Sequence, residues 1–163
     1  LRKKGAKVNS SCGMHVHVDA SNHTPRSLKN ALTIMYSKED ILFKALQTNP
    51  ERVNRWCQRV REDVLADIRK MPSGNMPMEE FRRRWYQDRQ RGVSHSHYDE
   101  TRYYALNLHA VFDKGTIEWR CFNSTLHAGR LMCHKVTQEN LIGGHPLFRI
   151  FFLKFFKKHL LVT

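Results

Sequence analysis

Two short runs, about 100 residues apart, concentrate the side chains of this chain that can do chemistry. The first is Gly13-Met14-His15-Val16-His17-Val18-Asp19 and the second is Thr116-Ile117-Glu118-Trp119-Arg120-Cys121. Both alternate polar and apolar residues, the pattern of a strand with one covered face. Period-two geometry puts His15, His17 and Asp19 on one side of the first strand, and Thr116, Glu118 and Arg120 on one side of the second. If the two strands share a sheet, two imidazoles, a carboxylate and a guanidinium converge. Such a set suits a divalent cation together with an anionic, phosphorylated ligand.

The elements that must position these residues read as an α+β domain, an antiparallel sheet packed against helices. After the histidine strand, Thr24-Pro25 predicts a cap and first turn for a helix over 27–46, with Leu28, Leu32, Met35, Leu42 and Leu46 at helical spacing. Asn49-Pro50 starts another, whose stripe of Val53, Trp56, Val60, Val64 and Ile68 runs on to the Pro72-Ser73-Gly74 stop. Residues 79–90 predict a short amphipathic helix carrying Arg82, Arg83 and Arg84, followed by a loop over 92–99. Residues 103–112 and 116–122 read as two strands of a hairpin turning at Asp113-Lys114-Gly115. A final helix is expected from Ser124 or Thr125. Beyond it, residues 147–161 interleave five phenylalanines with basic residues and no acid, too short and too charged to span a bilayer.

Composition narrows the class. The 163 residues suit one core, and 28 Lys and Arg against 15 Asp and Glu give a formal net charge of +13, which favours polyanions whatever the fold. Cysteines at 12, 57, 121 and 133 lack the spacing of a disulfide framework or a cysteine zinc site. Reduced thiols in the cytoplasm are the expectation. There is no secretory pattern at the start and no methionine either, so the sequence reads as a piece of a longer protein.

Three ordered motifs carry a family resemblance: Gly13-Met14-His15-Val16-His17, the stretch from Arg102 to Ala110, and Gly115 through His127. Together, from about Lys7 to Arg130, they resemble the amidoligase family of carboxylate–amine ligases, relatives of glutamine synthetase and glutamate–cysteine ligase. The resemblance implies a glutamine synthetase-like catalytic fold, an incomplete one, over residues 1–142, with 143–163 as a basic aromatic tail. It implies ATP-dependent amide formation through an acyl-phosphate, with ATP and Mg²⁺ or Mn²⁺ as cofactors and small-molecule or peptide substrates bearing the carboxylate and the amine. By motif position His15 and Glu118 are then metal ligands, His17 contacts nucleotide, and Arg120 contacts substrate or phosphate. Arg102 is a second clamp, while Asn107, His109 and His127 lie within the shared motifs with either site or structural roles.

One departure is plain: glutamine synthetase and its relatives carry a Glu-x-Glu strand with further metal carboxylates, and this sequence has none. Asp19 does not replace two ligands, so this chain alone is expected to bind nucleotide weakly without turnover. Two other classes fit part of the pattern. A metal-dependent hydrolase would use the His-x-His strand but leave Arg120 unexplained. A basic RNA-binding protein would use the charge and the Arg82–Trp85 cluster but leave His15, His17 and Glu118 unexplained.

Overall fold

The computed structural model describes residues 2–72, 74, 76–88 and 95–127. In chain order, a 3₁₀ turn at Arg2–Lys4 precedes β1 (Gly13–Asp19), α1 (Pro25–Ala45), α2 (Pro50–Arg55), α3 (Glu62–Arg69) and α4 (Met78–Trp85). A second 3₁₀ turn, Glu100–Tyr103, leads to β2 (Leu106–Asn107), α5 (His109–Lys114) and β3 (Thr116–Asn123). The strands form one antiparallel sheet in the order β1-β3-β2, so the expected mixture of helices and a small antiparallel sheet is what the chain builds.

The sheet is layered on the helices. Ile117, Trp119 and Cys121 of β3 are buried in one core with Leu28, Leu32, Met35 and Leu42 of α1, Val64, Leu65 and Ile68 of α3, and Phe81 and Trp85 of α4. α1 starts where its sequence says it should. Thr24 Oγ1 accepts from the Ser27 N–H, Ser27 Oγ accepts from the Thr24 N–H, and Pro25 occupies the first turn.

Two expectations need correction. The stripe from Val53 to Ile68 is two helices, α2 and α3, with an extended segment between them. There the Gln58 N–H bonds the Tyr103 carbonyl at 2.7 Å and the Ala105 N–H bonds the Gln58 carbonyl at 2.8 Å, a strand-like exchange that no helix permits. Nor do residues 103–122 form a hairpin. β2 is only two residues long, α5 fills the space expected for a strand, and Gly115, at φ 68°, is the left-handed cap of that helix. The Asn107 side chain accepts the Ala110 N–H at 3.3 Å and so begins the helical turn. α4 stops at Trp85, short of the expected position 90. The helix expected after Ser124 and the tail lie almost wholly outside the described residues. Among those described, no helix is long and apolar enough to cross a membrane.

Candidate active site

Register sets the site. β1 pairs with β3 so that His17 stands opposite Glu118, Val16 opposite Trp119, and Met14 opposite Phe122. Between the last two pairs a single residue of β1, His15, spans two of β3, Arg120 and Cys121: a β-bulge. Side chains from the α1–α2 region secure it. Arg52 Nη2 donates to the Arg120 carbonyl at 3.0 Å, and Thr48 Oγ1 donates to the Cys121 carbonyl at 2.8 Å.

Four polar side chains meet at one carboxylate. Glu118 Oε1 lies 2.8 Å from His15 Nδ1, 2.9 Å from Arg120 Nη1 and 3.6 Å from His17 Nε2. Its other oxygen accepts from Asn107 Nδ2 at 2.5 Å. Glu118 is only 4% exposed and Arg120 5%, whereas the His15 and His17 side chains are about a third exposed. The histidines therefore form a solvent-facing rim over a buried ion pair. Burial alone would raise the Glu118 pKa, but the His15 hydrogen bond, the Arg120 charge and the Asn107 amide outweigh it and hold the group at about 2. Burial lowers the Arg120 pKa and Glu118 opposes it, while neighbouring Arg102 and Arg52 push the same way as burial. Burial likewise lowers the His17 pKa against the pull of Glu118, which favours a neutral ring.

Arg120 is fixed from several sides: its Nε donates to the Trp56 carbonyl at 3.1 Å, and its guanidinium lies 5.7 Å from the Tyr103 ring centre. Nη2 has no partner among the described residues. Arg102 sits on the second 3₁₀ turn rather than at a strand start, with Nη1 on the His97 carbonyl at 3.1 Å and its guanidinium between the Tyr98 and Tyr103 rings. Asp19 does not reach the centre. It is exposed and holds the backbone and hydroxyl of Ser21 in the turn after β1. His109 Nδ1 bonds Tyr86 Oη at 2.5 Å, away from Glu118, and its buried Nε2 has no partner. His127 is exposed past the end of β3, where its N–H bonds Thr125 Oγ1.

Would these residues hold a metal ion? His15 turns Nδ1 towards Glu118, which sends Nε2 away from the carboxylate. An ion on that nitrogen would have Glu118 behind the ring as an orienting partner and not beside it as a second ligand. Glu118 is moreover already engaged by Arg120 and Asn107. Among the described residues no group of three or more His, Cys, Asp or Glu side chains is arranged for a metal. As placed, His15 and Glu118 bring two donors within 2.8 Å of each other, fewer than the several oxygen ligands that Mg²⁺ or Mn²⁺ takes.

Sequence reasoning missed Arg52. It is 2% exposed, its Nε has no partner, and its guanidinium lies flat against Gly13, where a β-carbon would come within 2.1–2.3 Å of it. The only sequence trace of this is a glycine where a strand residue would do. A second His-x-His, His95 and His97, lies outside the motifs that carry the resemblance. His95 bridges Asp88 and Asp99 at 2.6 and 3.0 Å and stacks on Tyr86, while His97 bonds Asp113 at 2.7 Å, so this pair anchors a loop. The Arg82–Arg84 run pairs with Glu79, Glu80 and Asp67, as a solvated helix face does.

No curated protein and no solved structure matches the chain in comparison. The sequence model of the family described as "putative amidoligase enzyme" matches residues 1–142, which include both β1 and β3. With about seven-eighths of its length in that match, the chain belongs to the amidoligase family.

Proposed function

We propose that this protein is an ATP-dependent carboxylate–amine ligase whose reacting groups meet at the Glu118–Arg120 pair, on a catalytic sheet of the glutamine synthetase kind. In the first step a carboxylate oxygen attacks the terminal phosphorus of ATP, and ADP leaves. An amine nitrogen then attacks the acyl carbon, inorganic phosphate leaves with the C–O bond electrons, and the amine gives up a proton. Both steps need a fixed cation where negative charge gathers. Arg120 is that cation. Glu118, the Trp56 carbonyl and the Tyr103 ring orient its guanidinium, with Nη2 left to meet a carboxylate or phosphoryl oxygen.

ATP would arrive as its Mg²⁺ or Mn²⁺ complex, as part of the substrate. His15 Nε2 would face it, and the neutral His17, whose ring is about a third exposed between Glu118 and Thr116, would stand beside it. Glu118 serves to aim His15 and Arg120, and Asn107 keeps the carboxylate from turning. The single observation that carries this reading is a buried carboxylate shared by an arginine, an amide and a solvent-facing histidine on paired strands.

The test is release of ADP and phosphate with a panel of carboxylates and amines, at high salt, by this chain and by a form extended upstream of residue 1, with Arg120→Lys beside the parent in each. Turnover that requires both co-substrates and falls by about 100-fold in the variant, with an unchanged melting curve, supports the reading, because a point charge does not reproduce a planar guanidinium. Amide or ester hydrolysis without ATP would overturn it.

A further inference from the structure

Arg120 is gripped at both ends by one short helix. Its side-chain Nε donates to the carbonyl of Trp56, which closes α2, and its backbone carbonyl accepts from Arg52 Nη2, one turn earlier, at 3.0 Å. Trp56 and Arg52 are themselves tied, since the Trp56 N–H bonds the Arg52 carbonyl at 2.7 Å. The start of α2 is anchored to the far end of β3: the Asn49 N–H bonds Asn123 Oδ1 at 3.0 Å, and Asn123 Nδ2 bonds the Gln47 carbonyl at 2.7 Å. These contacts keep the helix from sliding along the strand that carries Arg120.

The ladder explains why a side chain is needed there. Arg120 lies opposite Ala105 when the β2–β3 register is continued, and its N–H bonds the Ala105 carbonyl at 2.9 Å. In an antiparallel pair of this kind the opposite N–H returns the bond. The Ala105 N–H goes to the Gln58 carbonyl instead, at 2.8 Å, and Arg52 supplies the donor that the strand withholds.

A neutral donor would do the same. Arg52 is only 2% exposed, has no carboxylate partner among the described residues, and leaves its Nε without a hydrogen bond. Its charge also repels that of buried Arg120. An unpaired buried cation is unfavourable, and an apolar residue of similar volume is often as stable or more so. One carbonyl left without a partner is a smaller penalty than the desolvation of an ion. Stability therefore does not account for Arg52, whereas its bond to the residue that bears the reactive guanidinium does.

We propose that Arg52 is a positioning residue: through the Arg120 carbonyl it fixes the stretch of β3 that aims the Arg120 guanidinium, at a net loss to the stability of the fold. That Arg120 serves a reaction rests on the ligase reading, but the hold on its side chain is measurable without any turnover.

The probe is the Arg120 Nε–H itself, followed by NMR in the isotopically labelled full chain and assigned by its disappearance in Arg120→Lys. In Arg52→Met its exchange with water is expected to quicken about tenfold, while the urea midpoint stays level or rises. Arg52→Lys, which still offers an N–H to the carbonyl, should keep the exchange within about threefold of the parent. Unchanged exchange in Arg52→Met overturns the proposal. So does a midpoint that falls, or a chain that does not fold, since Arg52 would then be an ordinary prop of the structure. Equal loss of protection in the Lys and Met variants overturns it too, because the effect would lie in side-chain shape and not in the donated bond. Faster exchange in Arg52→Met with no ATP-dependent turnover in the parent would remove the ligase reading and keep the positioning role. Carboxylate- and amine-dependent turnover that is equal in Arg52→Met and the parent, with exchange unchanged, would do the reverse.

Discussion

Glu118 keeps its charge in a place where burial works against it, and that requires three donors at once, from His15, Arg120 and Asn107. The same crowding explains Gly13. Arg52 reaches beneath β1 to hold the bulged carbonyl of Arg120, and its guanidinium occupies the volume that any β-carbon at position 13 would need. Gly13→Ala is therefore expected to destabilise the fold by about 1–3 kcal/mol, the usual cost of overpacking. A double-mutant cycle with Arg52→Ala checks the cause. The glycine substitution should cost at least about 1 kcal/mol less when the guanidinium is absent, as judged by urea unfolding. Additive effects would mean that the two residues are not opposed.

At the scale of elements, Glu39 ties α1 to the extended segment between α2 and α3. It is 3% exposed and accepts the Val60 N–H at 3.4 Å. Burial raises its pKa to about 7, against the pull of that hydrogen bond and of Arg59. The folded protein therefore binds a proton more readily than the unfolded chain, whose carboxyl titrates near its ordinary value of 4.5. The stability linked to this group is fully present below about pH 4.5 and is lost as pH rises through about 7. Glu39→Gln, which cannot ionise, should lose less stability between pH 5 and pH 8 than the parent. The gap should reach up to about 3 kcal/mol, measured by denaturant unfolding across that range.

The same segment shows what was legible in sequence and what was not. α1 could be read from Thr24, Pro25 and a leucine stripe because its cap and its period are local. Val53, Trp56, Val60, Val64 and Ile68 keep helical spacing straight through a break, since the cause of the break is a pairing with Tyr103 and Ala105, more than forty residues away. The false hairpin has a related origin. Residues 104–110 are all buried, so alternation within them carried no information about faces, and Gly115 serves a helix end as well as it would a turn. The His-x-His and Glu-x-Arg strands were readable because each keeps its chemistry at a spacing of two. Arg52, Trp56 and Tyr103, which hold Arg120 in place, come from elements whose approach only the folded chain reveals.

The molecule as a whole carries +13, and this charge will attract ATP wherever it lands. Salt separates that general attraction from binding at the site, because the Debye length falls from about 10 Å at 0.1 M to about 3 Å at 1 M. Calorimetry with ATP and Mg²⁺ should find the parent and Arg120→Lys within about twofold of each other at 0.1 M salt, and at least about fivefold apart at 1 M. If the two titrations coincide at both concentrations, Arg120 takes no part in holding nucleotide.

The bulge has a consequence for chemical labelling. Cys121 shares it with Arg120, and its thiol points into the core with no accessible surface, as does that of Cys57, while Cys12 at the start of β1 is partly open. A thiol reagent should thus modify Cys12 promptly and Cys121 only during excursions that part β1 from β3. The rate at Cys121 times the opening of the very backbone that presents Arg120. Any ligand seated on the Glu118–Arg120 face should slow that rate in proportion to its occupancy while leaving Cys12 unaffected, which turns a buried sulfur into a gauge of binding before any substrate has been turned over.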